Sequence, residues 1–502
     1  MPAPTSRTPL LGDAAHRSRA AASRTRTLLA LVAIMLAFNT AQNVAPIPTH
    51  QFLLDAHCKE HYAENGGAAP YDCRIQAVQS KTAAFVSLQM VLTSITSCFT
   101  ALILGPLSDR IGRKPVIIFS YCGAAMSFVA TYCAATFELS LKWMLLGSLI
   151  DGLAGSMTAI NTITWAAITD VTTSEIRTFW FGVLMVVARV GKVAGLAIGG
   201  LLAGRQDYSN IDYKVYTPAF RFELLSVTLA VAAFALFIPE TLAAQNPPKD
   251  GLISGSKQAI PRSRIAEELA KFVNVPWAAQ TAYLLVGAVA ASRASIDFLW
   301  TFRLWDWGTT DNSLYTSAAT IGSIACCALA PVFQAQLKRL AAWSAPYSPF
   351  PARNPSSSLV AEEGDDRRHK WIEEKASTLV MTISVAALAV AMGVTVVLGD
   401  RVRWLLYYCV PLASLAPVAQ LAGRVILAAA VPASQIGSVS AGISFLSTLA
   451  GLVVTQMSAA VYGATVDTAP LAPYYGYTAL MLVALCLMLL HNRQLNVAGS
   501  RL

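Results

Sequence analysis

The sequence predicts an all-α membrane protein with twelve transmembrane helices in two pseudo-symmetric six-helix bundles. Three observations support this fold class. Only 13% of the 502 residues are charged and 55% are hydrophobic, whereas about a quarter of an average soluble protein is charged. Apolar windows long enough to cross a bilayer occur twelve times. One loop of the first half recurs, in weaker form, at the equivalent place in the second half.

Each predicted helix is a stretch of about 20 mostly apolar residues, the length that the hydrocarbon core of a bilayer requires. An even number of such helices places both chain termini on the same side of the membrane. The twelve windows are 27–46, 82–104, 115–135, 142–165, 178–203, 221–239, 277–299, 313–333, 378–398, 404–428, 435–461 and 473–491.

Lysine and arginine predict which side of the membrane faces the cytoplasm, because cytoplasmic loops carry an excess of both. Of the 37 Lys and Arg, 23 fall in the tails and in the loops on the side of the termini, ten in the opposite loops or at the first residue of a window that borders them, and four inside the windows. We therefore expect cytoplasmic termini. We also expect the plasma membrane, with a vacuolar or other internal membrane as the alternative. The bases lie between apolar windows, so the net charge of +9 indicates a lipid bilayer as partner and no nucleic acid.

Composition also predicts how the chain is divided. Residues 1–26 hold five Arg and no apolar core, and residues 340–377 are rich in Pro and Ser and then in charge, which is typical of flexible segments. The predicted parts are a disordered cytoplasmic tail (1–26), a first bundle (27–239), a central cytoplasmic linker (240–276), a second bundle (277–491) with a long cytoplasmic loop at about 340–377, and a cytoplasmic tail (492–502).

The first loop opposite the termini, at about 47–81, contains Cys58 and Cys73, the two cysteines that lie outside the windows. On an oxidising side of the membrane these residues are disulfide candidates, and two free thiols are the alternative. His57 and His61 beside Cys58 raise the possibility of a metal site. A polar loop explains them without one, and we predict no metal.

The stretch GPLSDRIGRKP (105–115) follows the second window and is unusually dense in special residues. Its two glycines and two prolines shape a tight turn, and Asp109 is a lone acid among Arg110, Arg113 and Lys114. After the eighth window the chain reads APVFQAQLKR (330–339), in which a proline and a basic pair recur at matching positions. This echo supports a duplicated bundle, as in many secondary transporters.

These features resemble the major facilitator superfamily, and GPLSDRIGRKP resembles its signature loop between helices 2 and 3. The resemblance implies that Asp109 and Arg113 form inter-helix contacts that gate the carrier, whereas the alternative is that the bases only fix the topology. We expect a second cytoplasmic cluster around Asp170 and Arg177. The predicted gate residues are Gly105, Asp109, Arg110, Gly112, Arg113, Lys114, Asp170 and Arg177.

Two further patterns narrow the resemblance. Glycines in the fifth window follow the spacing of the drug/proton antiporter motif, although Leu196 stands where that motif has proline. The stretches 168–184 and 423–451 resemble the proton-coupled folate transporter and its fungal relatives. Aligned with that transporter, Arg424 matches its helix 10 arginine, but Met185 and Arg293 replace its helix 5 glutamate and its helix 7 histidine. Folate specificity is therefore not implied.

Charged and polar residues inside the windows are candidates for substrate binding, because burying them in a bilayer is costly. Arg189 and Lys192 are three residues apart, so they share one face of a helix. A cavity with excess positive charge would bind an anionic group, most simply a carboxylate. The alternative is that the bases are paired within the protein or reach the membrane surface. The predicted substrate-binding residues are Arg189, Lys192, Arg293, Arg424, Asn39, Gln42, Asn43, Asn161 and Gln420.

Two acids lie well inside the windows, Asp151 and Asp297. Each is a candidate for proton coupling or for a charge pair, and Arg293 lies one turn before Asp297. If protons drive the carrier, we expect one of these two carboxylates to bind them.

The sequence thus predicts a monomeric secondary transporter that moves a small organic, anionic solute by alternating access, with proton coupling left open. Efflux of a drug or secondary metabolite by proton antiport is the alternative, and a non-transporting receptor on the same fold is a remote one. The sequence contains no P-loop and no nucleophile constellation, so we predict neither an enzyme nor a cofactor.

Overall fold

The structure is a computed structural model. It describes residues 11–66, 69–172, 174–204, 206–240, 276–343, 358–402, 404–429 and 436–499. These residues form α-helices and a short 3₁₀ turn at Tyr213–Val215, and they contain no strand. The helices are α1 (Leu11–Gln42), α2 (Pro46–Asn65), α3 (Gln76–Ile111), α4 (Arg113–Thr136), α5 (Lys142–Leu153), α6 (Ser156–Val171), α7 (Ser174–Leu202), α8 (Thr217–Phe237), α9 (Trp277–Trp305), α10 (Thr309–Trp343), α11 (Ser358–Leu398), α12 (Leu405–Ala413), α13 (Ala416–Ala429), α14 (Ile436–Thr465) and α15 (Ala472–Gly499).

Twelve helical stretches of the described residues are long and apolar enough to cross a membrane. The all-α membrane fold with twelve spans is therefore confirmed. Three of the spans combine two helices each: α1 and α2 form the first span, α5 and α6 the fourth, and α12 and α13 the tenth.

The fourth and tenth spans are both interrupted. Gly155 separates α5 from α6 with φ of +89°, a conformation that suits a residue without a Cβ. In the tenth span the interruption at residues 414–415 lies between Pro411 and Pro417, whose missing N–H groups weaken the helical hydrogen-bond ladder. The fourth helix of each predicted bundle is thus a broken helix.

The prediction of a polar loop at 47–81 is wrong for its first part, because Pro46–Asn65 is the helix α2. Residues 51–58 of α2 are all buried. Its polar side chains have partners inside the protein: Asp55 accepts a hydrogen bond from Tyr216, and His57 lies 3.1 Å from the Thr82 hydroxyl. Hydropathy does not detect such a helix, because it scores polar residues without their partners.

The predicted tails and the loop at 340–377 also differ from the structure. α1 begins at Leu11 and α15 ends at Gly499, so both terminal spans extend into the predicted tails. α11 begins at Ser358, so residues 358–377 are helical; residues 344–357 and the linker residues 241–275 lie outside the described part of the chain. Good helix formers such as Ala, Glu, Lys and Arg allow an apolar helix to continue into polar sequence.

The chain packs as two compact units. The first comprises Met1–Pro46, Ile95–Ile198 and Thr217–Ile253. In its core the ring centroid of Tyr121 lies 4.3 Å from that of Phe38 and 5.5 Å from that of Phe234.

The second unit comprises Ile47–Ser94, Gly199–Tyr216 and Ser254–Leu502. Its core includes the buried side chains of Trp300, Trp307 and Tyr474. It draws on chain from both sides of the predicted central linker, so contacts inside this unit join the two predicted bundles.

Candidate transport site and gates

The cation pair of α7 lies within the first unit. Arg189 and Lys192 are half-buried in the fifth span. Among the described residues, no carboxylate lies within ion-pair distance of either side chain, since neither appears in any salt bridge or hydrogen bond. The predicted pair is therefore two cations in an apolar helix without a resident counter-charge in the described part of the chain.

Two glycines bring α7 against α1 beside this pair. A methyl group added at Gly191 would lie 2.8 Å from Cβ of Asn39, and one added at Gly195 would lie 2.9 Å from the backbone of Asn43. Distances below 3.0 Å are too close for a real Cβ, so these positions require glycine. The glycine spacing in the sequence is thus a packing seam that places the amides of α1 next to the cation-bearing helix.

The three predicted amides of α1 are bonded along their own helix. Asn39 Nδ2 donates to the Met35 carbonyl at 2.8 Å, Gln42 Nε2 donates to Asn39 Oδ1 at 3.1 Å, and Asn43 Nδ2 donates to the Asn39 carbonyl at 2.7 Å. These bonds hold the side chains in fixed positions. Preorganisation of this kind lowers the cost of binding a ligand.

Asp151 lies at the end of α5, at the break in the fourth span. Ser156 Oγ donates to its Oδ2 at 2.8 Å, and its Oδ1 is buried without a partner among the described residues. Asn161, on α6, is exposed. The broken helix thus presents an under-bonded carboxylate in the first unit.

Arg293 belongs to a closed cluster in the second unit. Its Nη2 donates to Asp297 Oδ2 at 3.1 Å and to the Tyr315 hydroxyl at 3.3 Å, and Tyr474 donates to the other oxygen of Asp297. The side chains of Arg293 and Asp297 are only 15% and 14% exposed. Two of the predicted site residues therefore neutralise each other inside the protein.

The predicted residues of the tenth span lie on α13, also in the second unit. Arg424 is exposed and its Nε donates to the Tyr283 hydroxyl at 3.1 Å, while Gln420 is half-buried. A methyl group added at Gly423 would lie 2.7 Å from Cδ2 of Tyr283. The side chain of Arg424 is therefore more exposed than that of Arg293.

The signature loop takes part in a cluster of polar contacts in the first unit. Arg113, the first residue of α4, donates from Nε to Asp170 Oδ2 at 3.2 Å and from Nη1 to Ser108 Oγ at 2.7 Å. Glu240 accepts the backbone N–H groups of Arg113 and Lys114 at 2.9 and 3.1 Å. A carboxylate at a helix N-terminus satisfies otherwise unpaired donors and the helix dipole.

The structure describes the surroundings of only some of the other predicted gate residues. Gly112 has φ of +105° and permits the turn before α4, Gly105 has open space beside it, and Arg110 is exposed. The side chains of Asp109 and Arg177 lie outside the described part of the structure. The expected contact of Asp109 therefore stays a prediction.

A second set of contacts lies at the end of the second unit opposite the C-terminus, which we call the far face. Arg74 pairs with Asp306 at 2.6 Å and Arg303 with Asp467 at 2.7 Å. Three further hydrogen bonds join α3 to α14, from Gln76 to the Gly463 carbonyl, from Tyr462 to Gln79 and from Gln456 to the Ser87 carbonyl. We call these contacts, all within the second unit, the far-face clasp.

The two cysteines of the far face are joined. Cys58, near the end of α2, and Cys73, before α3, form a disulfide with a Cα–Cα distance of 5.3 Å. Both are buried. No group of three or more His, Cys, Asp or Glu in the described residues is arranged to hold a metal ion.

Sequence reasoning missed three acids. Glu240 follows the sixth window directly, and its capping role depends on the position of α4. Glu223 of α8 is 3% exposed and accepts the backbone N–H of Ala45. Asp55 of α2 was hidden by the loop prediction. A carboxylate inside an apolar window was the available signal for Glu223.

Asp55 is the centre of a buried hydrogen-bond network in the second unit. It is 0% exposed and accepts from the hydroxyl of Tyr216 and, at 3.3 Å, from Gln51 Nε2, which also donates to the Tyr208 hydroxyl at 3.1 Å. Burial, and next the nearby Asp55 charge, raise the pKa of both Tyr208 and Tyr216 far above the usual range. Both phenols therefore keep their protons at physiological pH.

Twelve apolar helices, with interruptions in the fourth and tenth spans, define a multi-pass membrane protein. The chain belongs to the Major Facilitator Superfamily, whose family model matches residues 27–455. The family and the fold are those of transporters rather than enzymes.

Known relatives match parts of the chain. A tetracycline resistance protein (class H) of Pasteurella multocida is 28% identical over 249 residues, which are 49% of this chain and 55% of that protein. The proton-coupled folate transporter of Rattus norvegicus is 24% identical over 149 residues, 30% of this chain and 32% of that protein, so the resemblance seen in the sequence is confirmed. The chain spans about half the length of the first of these relatives.

Solved structures extend the comparison to nearly the whole chain. The crystal structure of the human organic anion transporter MFSD10 superposes with a TM-score of 0.55, covering 93% of this chain and 99% of that one at 15% sequence identity. At this low sequence identity, the superposition shows a common fold alone.

Proposed function

We propose that the chain is a secondary carrier that moves a small organic anion, recognised through a carboxylate group, by alternating access. The observation that carries this proposal is the pair Arg189 and Lys192, which has no carboxylate partner among the described residues. Two cations in an apolar span are costly alone. A carboxylate substrate supplies the missing charge through short, charge-assisted hydrogen bonds.

The neighbouring elements support this assignment. Asn39, Gln42 and Asn43 lie on the helix that α7 contacts at Gly191 and Gly195, so fixed amides accompany the cations. We retain Asn161, Gln420 and Arg424 as further contributors to substrate binding. We assign Arg293 and Asp297 to structure, because each already satisfies the charge of the other.

The gates follow from the same proposal. We assign the cluster around Arg113 and the far-face clasp to gates, because alternating access requires such contacts to form and break in turn. We propose cytoplasmic termini, from the excess of 23 over ten basic residues. We also propose a monomeric carrier in the plasma membrane.

Transport assays in proteoliposomes test the proposal. Reconstituted protein is offered labelled mono- and dicarboxylates and, for comparison, neutral and cationic solutes of similar size. We expect uptake or counterflow of at least one carboxylate, with the uncharged analogues excluded. Transport of neutral or cationic solutes alone would overturn the assignment.

A second candidate is export of a drug or secondary metabolite by proton antiport. The packing seam at Gly191 and Gly195 favours it, since this spacing resembles the antiporter motif, and a matching relative is a tetracycline resistance protein. The direction of transport separates the two candidates. Export of hydrophobic compounds against their gradient, dependent on an imposed pH gradient, would favour the second.

A further inference from the structure

A carboxylate without a cation partner lies in the second unit. Asp55 of α2 has no exposed surface, and its oxygens accept hydrogen bonds from the neutral donors Gln51 and Tyr216. No Lys, Arg or His of the described residues lies within ion-pair distance of it. A buried anion with neutral neighbours alone is costly, and binding a proton removes that cost.

A cavity of about 650 Å³ reaches this network. Gln51, Tyr208 and Tyr216 line the cavity, whereas Asp55 lies behind them. Each oxygen of Asp55 is therefore one hydrogen bond away from a group at the cavity wall. A cavity of this size with polar walls holds water, so a proton has a short path to the carboxylate.

The hydrogen-bond network has room for one more proton. Gln51 Nε2 donates to both Asp55 and Tyr208, while Gln51 Oε1 is buried and has no partner among the described residues. With the new proton on Oδ2, this O–H of Asp55 donates to the Tyr216 oxygen, while Gln51 Nε2 continues to donate to Oδ1.

The charged and titratable groups near Asp55 contact residues other than Asp55. On α2 itself, Lys59 lies 4.7 Å from the ring centroid of Tyr213, and His57 is bonded to Thr82. On the elements packed against it, the phenols Tyr208 and Tyr216 stay neutral, and Asp306 is paired with Arg74. His50 lies against the ring of Phe298. None of these groups supplies a fixed positive charge to the carboxylate.

We propose that Asp55 is a proton-binding residue of the carrier, loaded from the cavity through Tyr216. In the loading step the Tyr216 hydroxyl passes its proton to Asp55 Oδ2 and takes one from hydronium in the cavity, which becomes water. One proton is added and Tyr216 is unchanged. This inference deepens the proposed function, on which it rests for the transport cycle, by naming the residue that couples it to protons.

Three other acids compete for this role. Asp297 already has a cation partner in Arg293, Glu223 accepts a backbone N–H, and Asp151 accepts from Ser156. None of them lines the cavity or bonds directly to a residue that lines it. Asp55 is the described acid that combines full burial, neutral donors and a path to water.

Infrared difference spectroscopy tests the proposal on the full-length reconstituted protein, with the proton itself as probe. A protonated buried carboxyl gives a C=O stretching band that grows as the pH falls. We expect Asp55→Asn to remove one component of this band and Asp151→Asn to leave that component unchanged. A band that is identical in the wild type and in Asp55→Asn would overturn the proposal.

Tyr216→Phe is the second variant and guards against an Asp55→Asn protein that fails to fold. It removes a donor that favours the charged carboxylate, so the midpoint of the band should move to higher pH by about one unit. No movement of the midpoint would contradict the proposed relay. The titration needs no substrate, so failure to transport carboxylates would overturn the proposed function and leave this result standing.

Discussion

The guanidinium of Arg113 bonds Asp170 and Ser108 at the same time, through Nε at 3.2 Å and Nη1 at 2.7 Å. Asp170 belongs to the end of α6 and Ser108 to the end of α3, so one side chain at the start of α4 ties three helices together. Both partners of the ion pair are largely buried, at 13% and 15% exposure. Buried pairs of this kind are harder to break than surface ones.

Replacing Arg113 with Lys tests the gate. A lysine keeps the charge but has no planar fork, so it cannot make both bonds in this geometry. Losing one charged hydrogen bond costs about 1.5 kcal/mol, which shifts a conformational equilibrium about tenfold. We expect the turnover rate to fall by about that factor with KM little changed. The exposed Arg110→Lys is the matched control, and equal rates for both variants would argue against a gating role.

The cation pair predicts a loss of substrate affinity. Arg189→Gln and Lys192→Gln each remove a charged donor worth about 1.5–3 kcal/mol, so KM for a transported carboxylate should rise at least about tenfold. Arg189→Lys should recover only part of the affinity, because lysine lacks the bidentate fork.

The control for this pair is Arg401→Gln, which removes a charge from a side chain that is 76% exposed. KM should stay at the wild-type value in that variant. Unchanged KM in the α7 variants for every transported anion would refute the carboxylate site.

The seam between α1 and α7 gives a prediction about stability. Gly195→Ala places a methyl group against the backbone of Asn43, and overpacking of this kind costs about 1–3 kcal/mol. Gly182→Ala, on the same helix, meets no atom within 4 Å and should be neutral or slightly stabilising. Thermal unfolding of the purified proteins measures the difference. Equal melting temperatures would show that the glycines do not define the seam.

The disulfide gives a prediction about the far face. Cys58 and Cys73 close a loop of 15 residues, for which loop-closure entropy predicts about 3 kcal/mol of stabilisation. The double substitution Cys58→Ser, Cys73→Ser should lower the free energy of unfolding by about this amount, measured by denaturant titration. Cys133→Ser, which alters a free cysteine of α4, serves as control and should have little effect. Both cysteines of the disulfide are buried, so a reductant should leave the bond intact in the folded protein.

The sequence predicted the parts of this molecule that depend on the membrane. The twelve spans were found because a helix in hydrocarbon must be apolar for about 20 residues, a requirement that each segment meets without its neighbours. The sequence also singled out the glycines of the fifth window, and α7 contacts α1 at two of them, Gly191 and Gly195.

The limits of sequence reasoning appear in α2 and in Arg293. The helix Pro46–Asn65 was assigned to a loop because Asp55 and His57 make it polar, and their partners Tyr216 and Thr82 are distant in sequence. Arg293 and Arg189 are both arginines inside apolar windows. One pairs with Asp297, Tyr315 and Tyr474, and the other lacks a carboxylate partner among the described residues.

The sequence by itself thus determined that the chain lies in a lipid bilayer, how many spans it has and to which superfamily it belongs. It could do so because hydropathy and the motif at 105–115 are local properties of the chain. The tertiary structure decided which charges are neutralised. A hydrogen bond or an ion pair depends on a few ångströms between segments far apart in sequence. Those distances leave Arg189 and Lys192 without a carboxylate partner among the described residues, and they pair Arg113 with Asp170. They also place Asp55 one hydrogen bond from residues that line a cavity.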